Sequence, residues 1–589
     1  MSTTTILRGG QWLVGGGGDV FTPEQLSDEH RLIAETAAEF AEKEVLPALE
    51  RLEQKDWALA RALVRRCGDL GLLGVNVPEA YGGVELDKVS SLLVSEHLAR
   101  SASFGATFGA QANLCILPIL LFGTDDQKAR YLPRLVSGEW VGAYALSETS
   151  SGSDALGARA RATRQADGSF VLSGEKMWIT NGGFADVIVV FAKVDGELFS
   201  AFIVERAYDG VSSGKEEHKM GLHGSSTTPI LLDDVRVPAA NLLGEIGKGH
   251  KVAFSVLNFG RFKLGAMCLG GCRHAIGDAA RYAANRRQFG QPIASFGAIR
   301  HKLGEMTART FALQSIMYRT AGLIDAWLGA QAGDRNRALL GALEEFAVEA
   351  SIAKVFGSEV LEYVLDENVQ VHGGNGYVHD YEAERHYRDA RVNRIFEGTN
   401  EINRLLIPGL LVKRALKGDL PLIAAATSLR EEIMGPPALD AVPGEESALA
   451  AERRAVDAFR KTVLLVAGTA MERYGQKLQD EQEVLLWLAD LVIETYAADS
   501  AVERASASAR QGHPAAAHQE EAARVYVQGA ALRIDAAARE ALAAMASGDV
   551  LRTELAALRR LLKVAPADTV APRRSLADAT VRAGAYIFG

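Results

Sequence analysis

Apolar residues recur at helical spacing from residue 27 onward. In SDEHRLIAETAAEFAEKEVLPALERLE, residues 27–53, Ile33, Ala37 and Phe40 form one stripe behind an N-cap serine, Ser27; that is the pattern of a helix with one face in a core. Helical patterning continues to about residue 140, interrupted by a PEAYGG turn at 78–83. From 141 the period changes. FVLSGEKMWITNG, DVIVVFAKV, LFSAFIVERA and ILLDDVRVP are short, β-branched and punctuated by Gly, Asp and Pro, so they read as strands of an antiparallel sheet. ADGSF at 166–170 supplies a hairpin turn. Long helical patterns return at about 247 and run to about 417. GPPALDAVPGEES, 435–447, has the composition of a linker. Beyond it, Val456, Phe459, Val463 and Val466 mark another amphipathic helix in an alanine-rich segment.

The expected layout is a 1–26 extension, an α domain at 27–140, a β domain at 141–246 and an α domain at 247–417. A linker at 418–447 and a further helical domain at 448–589 follow. A chain of 589 residues is too long for one core. A sheet enclosed by helical domains offers clefts at their junctions, where ligands commonly bind.

Composition narrows the class. With 48% hydrophobic and 23% charged residues the chain is that of a soluble globular protein. A formal charge of -10 without a long basic run argues against nucleic acid as a partner. Only four cysteines, Cys67, Cys115, Cys268 and Cys272, suit a reducing compartment. Cys268 and Cys272 share a helix face, but no His, Asp or Glu at ligand spacing joins them, so they read as buried small residues and no metal is expected. The N-terminus lacks a basic segment followed by an apolar one, and the longest apolar run, LCILPILLF, has nine residues and a proline. No signal peptide, transit peptide or membrane span is expected, and the expected location is the cytoplasm.

Three segments carry candidate chemistry. ALSETSSGSDALG, 145–157, is dense in Ser, Thr and Gly and can present hydroxyls and backbone N–H groups to a polar ligand; by residue type alone it is equally a polar connector. QVHGGNGYVHDYEAERHYRD, 370–389, has glycines that permit close backbone approach but lacks the βαβ setting of a dinucleotide fingerprint. YAANRRQFGQPIASFGAIRHKL, 282–303, puts Arg286 and Arg287 at a helix end, suited to pyrophosphate or to a solvated basic face. A fourth segment, RIFEGTNEINRLL at 394–406, sets Glu397 between an apolar pair and a Gly-Thr helix start.

In this order, and with KMWITNGG at 176–183, these motifs resemble the acyl-CoA dehydrogenase family over residues 25–415. The resemblance implies a fold of α domain, β domain and four-helix α domain. It implies FAD-dependent α,β-dehydrogenation of an acyl-CoA thioester, with Glu397 removing the α-proton, flavin N5 taking the β-hydride and an electron-transfer flavoprotein taking the electrons. A thioester α-proton is weakly acidic, so the base must be kept from water for its pKa to rise. Ile395 and Phe396 would wall it, and Gly398 would let the backbone pack on the thioester. The backbone N–H of Glu397 would help hold the thioester oxygen against the charge that develops there. Some relatives, isovaleryl-CoA dehydrogenase among them, carry the base on another helix just before an arginine; here LNFGRFKLG has Gly260 at that position.

By the same resemblance Tyr144, Leu146 and Ser147 contact the flavin, with Trp178, Ile179 and Thr180 flanking its ring. Ser153 lies near the cofactor and the pantetheine. Arg286, Gln288 and Phe289 reach the FAD of a neighbouring subunit, with Gln370, Gly373 and Gly374 near its adenosine end. Thr399, Asn400 and Glu401 close over the cofactor at a helix start, where N–H groups favour phosphate. Asn258 and Arg261 align with substrate-binding positions, Asn258 standing where medium-chain members have Asp. A cofactor shared between subunits implies a homodimer, or a dimer of dimers.

About 170 residues follow the resembling region. That extension resembles the very-long-chain branch, as do VLNFGRFKLGA and RIFEGTNEI. In SFGATFGAQANLC, 103–115, the small Ala106, Gly109 and Ala110 would leave a deep acyl pocket. The segment 420–437 is amphipathic with few basic residues, so membrane-surface contact is not supported. Two other readings stay open at this stage: an acyl-CoA oxidase using oxygen, and a respiratory-complex assembly factor that keeps the fold.

Overall fold

A computed structural model describes residues 7–15, 20–435 and 448–589. The linker expected at 435–447 lies outside the described residues except for Gly435, and the 418–434 part is not a linker: Leu422–Met434 is a helix. In the N-terminal third, α1 (Asp28–Phe40) starts where expected, with Ser27 Oγ accepting from the His30 N–H. After helices at Leu49–Glu53 and Trp57–Asp69, the chain forms α2 (Lys88–Leu98), α3 (Ala102–Gly109) and α4 (Asp125–Val136).

The sheet comprises β1 (Gly142–Ala145), β2 (Arg161–Arg164), β3 (Phe170–Thr180), β4 (Val187–Val194), β5 (Leu198–Glu205), β6 (Val211–Ser213), β7 (Thr227–Val237) and β8 (Leu242–Leu243). Its order is β6-β7-β3-β2-β4-β5-β8, with β1 on β4. It is mixed rather than purely antiparallel, because β1 and β2 both run parallel to β4. β4 is buried almost throughout, the setting in which parallel pairing is found. Its alternation divides two cores. Val187, Val189 and Phe191 face the helices, while Ile188, Val190 and Ala192 face the interior of the β domain.

Four long helices complete the catalytic-size unit: α5 (Gly249–Asn285), α6 (Gly297–Ala330), α7 (Ala347–His372) and α9 (Asn400–Lys417), with the short α8 (Glu382–Ala390) before the last. The stretches Ala102–Phe122 and Gly249–Asn285 have the length and composition of membrane spans, yet 78% and 72% of those windows are buried inside the protein. They are core helices. All four cysteines are free and buried.

After α10 (Leu422–Met434), the C-terminal layer contains α11 (Ala450–Tyr474), α12 (Gln482–Arg510), α13 (Ala516–Met545), α14 (Gly548–Leu561) and α15 (Val570–Ala583). Val456, Phe459, Val463 and Val466 are buried, as their spacing predicts. Two buried ion pairs fasten this layer: Arg319–Asp499 at 2.9 Å and Arg504–Glu24 at 2.6 Å. The second partner is in the N-terminal extension. That extension also sets Trp12 against Tyr496, ring centroids 4.6 Å apart, and donates to Glu349 from Gly10 N and Trp12 Nε1.

Removing one partner of a buried ion pair leaves a charge without compensation, at a cost of about 3–5 kcal/mol. Arg504→Ala strands Glu24, whose carboxylate is 6% exposed. Its unfolding free energy from urea titration is expected to fall by an amount in that range; an unchanged value would mean that the N-terminal extension does not help fasten the C-terminal layer.

Candidate active site

The segment between α8 and α9 brings Phe396 and Glu397 over α5. Glu397 has φ 57° and Gly398 φ 79°, a left-handed pair that favours glycine and costs a glutamate backbone energy. Three contacts hold the turn: Arg261 Nε donates to Glu397 O at 3.3 Å, Asn403 Nδ2 donates to Gly398 O at 2.8 Å, and Thr399 Oγ1 caps α9 by accepting from Ile402 N at 3.2 Å. A Cβ at Gly260 would stand 2.6 Å from Glu397 Oε2. The carboxylate therefore occupies the space that any side chain at 260 would take.

Glu397 Oε2 is buried and has no hydrogen-bond partner among the described residues. Burial pushes its pKa up to about 7, against the opposing charges of Arg261 and, less, Lys354. Lys354 is itself pulled down to about 8 by burial and donates to Asn400 Oδ1 at 2.6 Å. A carboxylate poised near neutrality, apolar on one side and short of hydrogen bonds, can take a proton from a weak carbon acid. The Tyr144 hydroxyl is likewise buried without a partner; burial, then the Glu397 charge, raise its pKa.

The loop after β1 is positioned by a buried ion pair. Lys176 Nζ meets Glu148 Oε1 at 2.7 Å and also donates to Leu146 O. Burial alone would raise the Glu148 pKa, but Lys176 and the N–H groups of Arg159 and Ala160 hold it below the ordinary value. This clasp sets Leu146 and Ser147 beside β3. There Met177 and Trp178 together oppose the single Pro229 of β7, a bulge where proline has no N–H to offer. The bulge turns Trp178 outward, 59% exposed at φ 58°.

The expected site residues divide into three groups. Tyr144, Leu146 and Ser147 stand on one strand and its loop, with Trp178 and Thr180 on the neighbouring edge of β3, while Asn258, Arg261, Phe396, Glu397, Gly398 and Thr399 form one hydrogen-bonded or packed unit. Ser153 and Glu401 are exposed nearby in sequence. A second group turns its side chains inward. Ile179 is 2% exposed in the sheet core, and the Asn400 side chain is engaged with Lys354, Ser358 and Glu359. A third group lies far off. Arg286 caps α5, 26 residues from Gly260, or roughly 39 Å at 1.5 Å per residue. It is exposed with Gln288 and with Phe289, which is 92% exposed; Gln370, Gly373 and Gly374 are exposed at the end of α7.

A small pocket, partly open to solvent, is lined by Phe396, Ala106, Met267, Gly271 and Leu361 among others. Ala106 is on its wall. Ala110, one turn on and 3% exposed, is not among its lining residues. Lys354 and the Glu148–Lys176 clasp escaped the motif reading. A lone lysine within the apolar run SIAKVFG was the available signal for the first.

Fold and site together define a class: a helix–sheet–helix protein with an unpartnered carboxylate of raised pKa at the junction of its domains. The chain matches the Acyl-CoA dehydrogenase N-terminal domain at 27–139, middle domain at 143–235, and C-terminal domain at 247–409, with a further Acyl-CoA dehydrogenase C-terminal domain at 458–560. It is 47% identical over 572 residues to a "Probable acyl-CoA dehydrogenase" of Bacillus subtilis (strain 168), covering 96% of each chain. It is 36% identical to the human mitochondrial very long-chain specific acyl-CoA dehydrogenase, over 85% of this chain and 76% of the relative. The crystal structure of an acyl-CoA dehydrogenase complexed with FAD from Bacillus anthracis superposes with TM-score 0.96 at 46% identity, over 99% of this chain and 100% of that one. The chain belongs to the acyl-CoA dehydrogenase family.

Gly260→Ala places a methyl 2.6 Å from Glu397 Oε2 and must push the carboxylate aside. Small misplacements of a reacting group cost on the order of 10²-fold, so kcat/KM is expected to drop by about that much with folding intact. Wild-type kcat/KM in this variant would show that turnover does not depend on the carboxylate's place against α5.

Proposed function

We infer that this enzyme is an FAD-dependent acyl-CoA dehydrogenase that converts long-chain fatty acyl-CoA to the trans-2-enoyl-CoA, the first step of fatty acid β-oxidation. The observation that carries the reading is the Glu397 carboxylate: unpartnered, seated against Gly260, with its pKa pushed up to about 7. Glu397 takes the α-proton. Arg261 and Asn403 keep its backbone in the turn that aims the carboxylate, and the Glu397 N–H is the donor for the thioester oxygen, whose charge grows as the proton leaves. FAD, when bound, accepts the β-hydride.

The residues present fit that group. Tyr144 offers a buried hydroxyl without a partner, and Trp178 an indole turned out of the sheet. Together with Leu146, Ser147 and Thr180 they would hold the flavin ring, Ser153 standing near the pantetheine and Thr399 and Glu401 at the α9 start. Ile179 and Asn400 would serve through their backbone, since their side chains are engaged elsewhere. Arg286, Gln288, Phe289, Gln370, Gly373 and Gly374, exposed and far along α5 and α7, would serve the FAD of a second copy, which makes a homodimer the working unit. An electron-transfer flavoprotein is the proposed acceptor and the cytoplasm the proposed location, with all four thiols free.

The long-chain preference rests on the cavity. Met267, Gly271 and His274 line it at spacings of four and three along α5, and His274 is 14 residues beyond Gly260, roughly 21 Å. A long acyl tail gains about 0.8 kcal/mol per buried methylene.

Two experiments test the reading. The kcat/KM of the holoenzyme should rise with pH through about 7, the pKa at which Glu397 becomes the free base, while Glu397→Gln should lose roughly 10²–10⁴-fold and the pH limb with it; a limb that persists in this variant assigns the base elsewhere. Across an acyl-CoA length series, Ala106→Gln should lower kcat/KM for long chains by tenfold or more and leave short chains largely unaffected. An unchanged length profile would remove Ala106 from the acyl path.

A further inference from the structure

Away from the Glu397 turn, three side chains that can ligate a metal meet from two helices. His274 belongs to α5, and Glu382 and His386 to α8. Glu382 and His386 are four residues apart and so share one face of α8. His274 approaches both. The two imidazole rings stand edge to face with centroids 5.1 Å apart, and His274 Nε2 lies 3.5 Å from Glu382 Oε2. One ligand atom from each side chain can be chosen so that all three lie within 4.8 Å of one another.

An ion pair of His274 with Glu382 would account for two of these groups. It leaves the third. His386 makes no side-chain hydrogen bond among the described residues, although its ring is half-buried against His274. A metal ion accounts for all three. In a tetrahedral site with bonds of about 2.0–2.1 Å the ligand atoms stand roughly 3.4 Å apart. The His274–Glu382 edge already has nearly that length. The other two edges, at no more than 4.8 Å, close by side-chain rotation without moving either helix. Two imidazoles and one carboxylate are also the donor set of zinc sites that keep a fourth position open.

The surroundings suit such an ion. Arg385 Nη2 holds Glu382 Oε1 at 3.0 Å, which fixes the carboxylate and leaves Oε2 on the side of His274, as hydrogen-bonded outer partners of metal ligands do. The two nearby guanidinium groups have carboxylates of their own: Arg385 lies 3.8 Å from Glu53 and Arg100 lies 3.5 Å from Glu42. Neither is a bare positive charge set against a cation. Both histidines line the pocket that Phe396 also lines, so water can reach the fourth position.

We propose that His274, Glu382 and His386 form a binding site for a divalent transition metal, Zn2+ being the ion that the donor set suits best. The site uses none of the residues assigned above to the flavin or to the base. Its consequence is mechanical. α8 leads into residues 391–397 and so into the Glu397 turn, and a bound ion would tie α8 to α5, the helix against which that turn is seated.

The test uses the purified full-length holoenzyme, stripped of metal with a chelator and then titrated with Zn2+ in equilibrium dialysis and in thermal unfolding. One Zn2+ per chain is expected. Its affinity should fall at least tenfold in His386→Leu and in Glu382→Gln, since changes to outer-shell partners alone cost about 10–100-fold. The unfolding midpoint should rise with Zn2+ in the wild type and not in the variants, because an ion that binds only the folded state stabilises it. Co2+ in place of Zn2+ should give visible absorption beyond the flavin bands, missing from both variants. The Glu382 side chain is 51% exposed, so Glu382→Gln decides should His386→Leu not fold. No Zn2+ bound at the wild-type protein, or Zn2+ binding that the variants keep unchanged, would overturn the proposal.

Discussion

The site depends on one carboxylate kept from water without being given a full partner. Two buried glutamates illustrate how fine that setting is. Glu148 meets Lys176 at 2.7 Å and two backbone N–H groups, and its pKa falls below the ordinary value. Glu397 has Arg261 and Lys354 within electrostatic reach but no hydrogen bond on Oε2, and burial raises it to about 7. The residue type is the same, and the directions are opposite. What differs is geometry: Arg261 donates to the Glu397 backbone oxygen and to Asn258 rather than to the carboxylate, and Lys354 donates to Asn400. The cations moderate the base without neutralising it, whereas a direct ion pair would have made Glu397 an ordinary, weakly basic carboxylate.

The same physics fastens the frame in which that geometry is kept. Lys176–Glu148, Arg319–Asp499 and Arg504–Glu24 are buried pairs joining elements far apart in sequence. Such pairs contribute little net stability compared with apolar packing, but a broken one is costly, so they specify one docking arrangement over its neighbours. The N-terminal extension takes part through Glu24 and through Trp12 on Tyr496. The C-terminal layer is therefore keyed both to α6 and to the first residues of the chain.

How much of this was legible in the sequence follows from what each feature needs. Glu397 was legible because its motif is local: an apolar pair, a carboxylate, and a Gly-Thr start within six residues. The strand at β4 was legible for the same reason, as a short β-branched run. The outward turn of Trp178 was not legible, because period-2 alternation fails at a bulge that depends on Pro229 in a strand fifty residues on. The helix at Leu422–Met434 was taken for linker because its neighbours are rich in Gly and Pro. Lys354, His274 and His386 gain meaning only once three helices converge.

That convergence also explains why one helix can govern both ends of the reaction. Gly260 receives the Glu397 carboxylate, while Met267, Gly271 and His274 follow at spacings of seven, four and three, which keeps them on one face. A tail laid along that face is measured in the same frame that places the base. If an acyl tail lies there as proposed, the residues along that face of α5 set how far a chain can reach from Glu397. Loops could supply either end separately, but their greater mobility would not keep the two in register. A single continuous helix, fixed by α2, α6 and α7 on its other faces, keeps the distance from Gly260 to Met267, Gly271 and His274 constant, so the place of the Glu397 carboxylate and the pocket lining vary together or not at all.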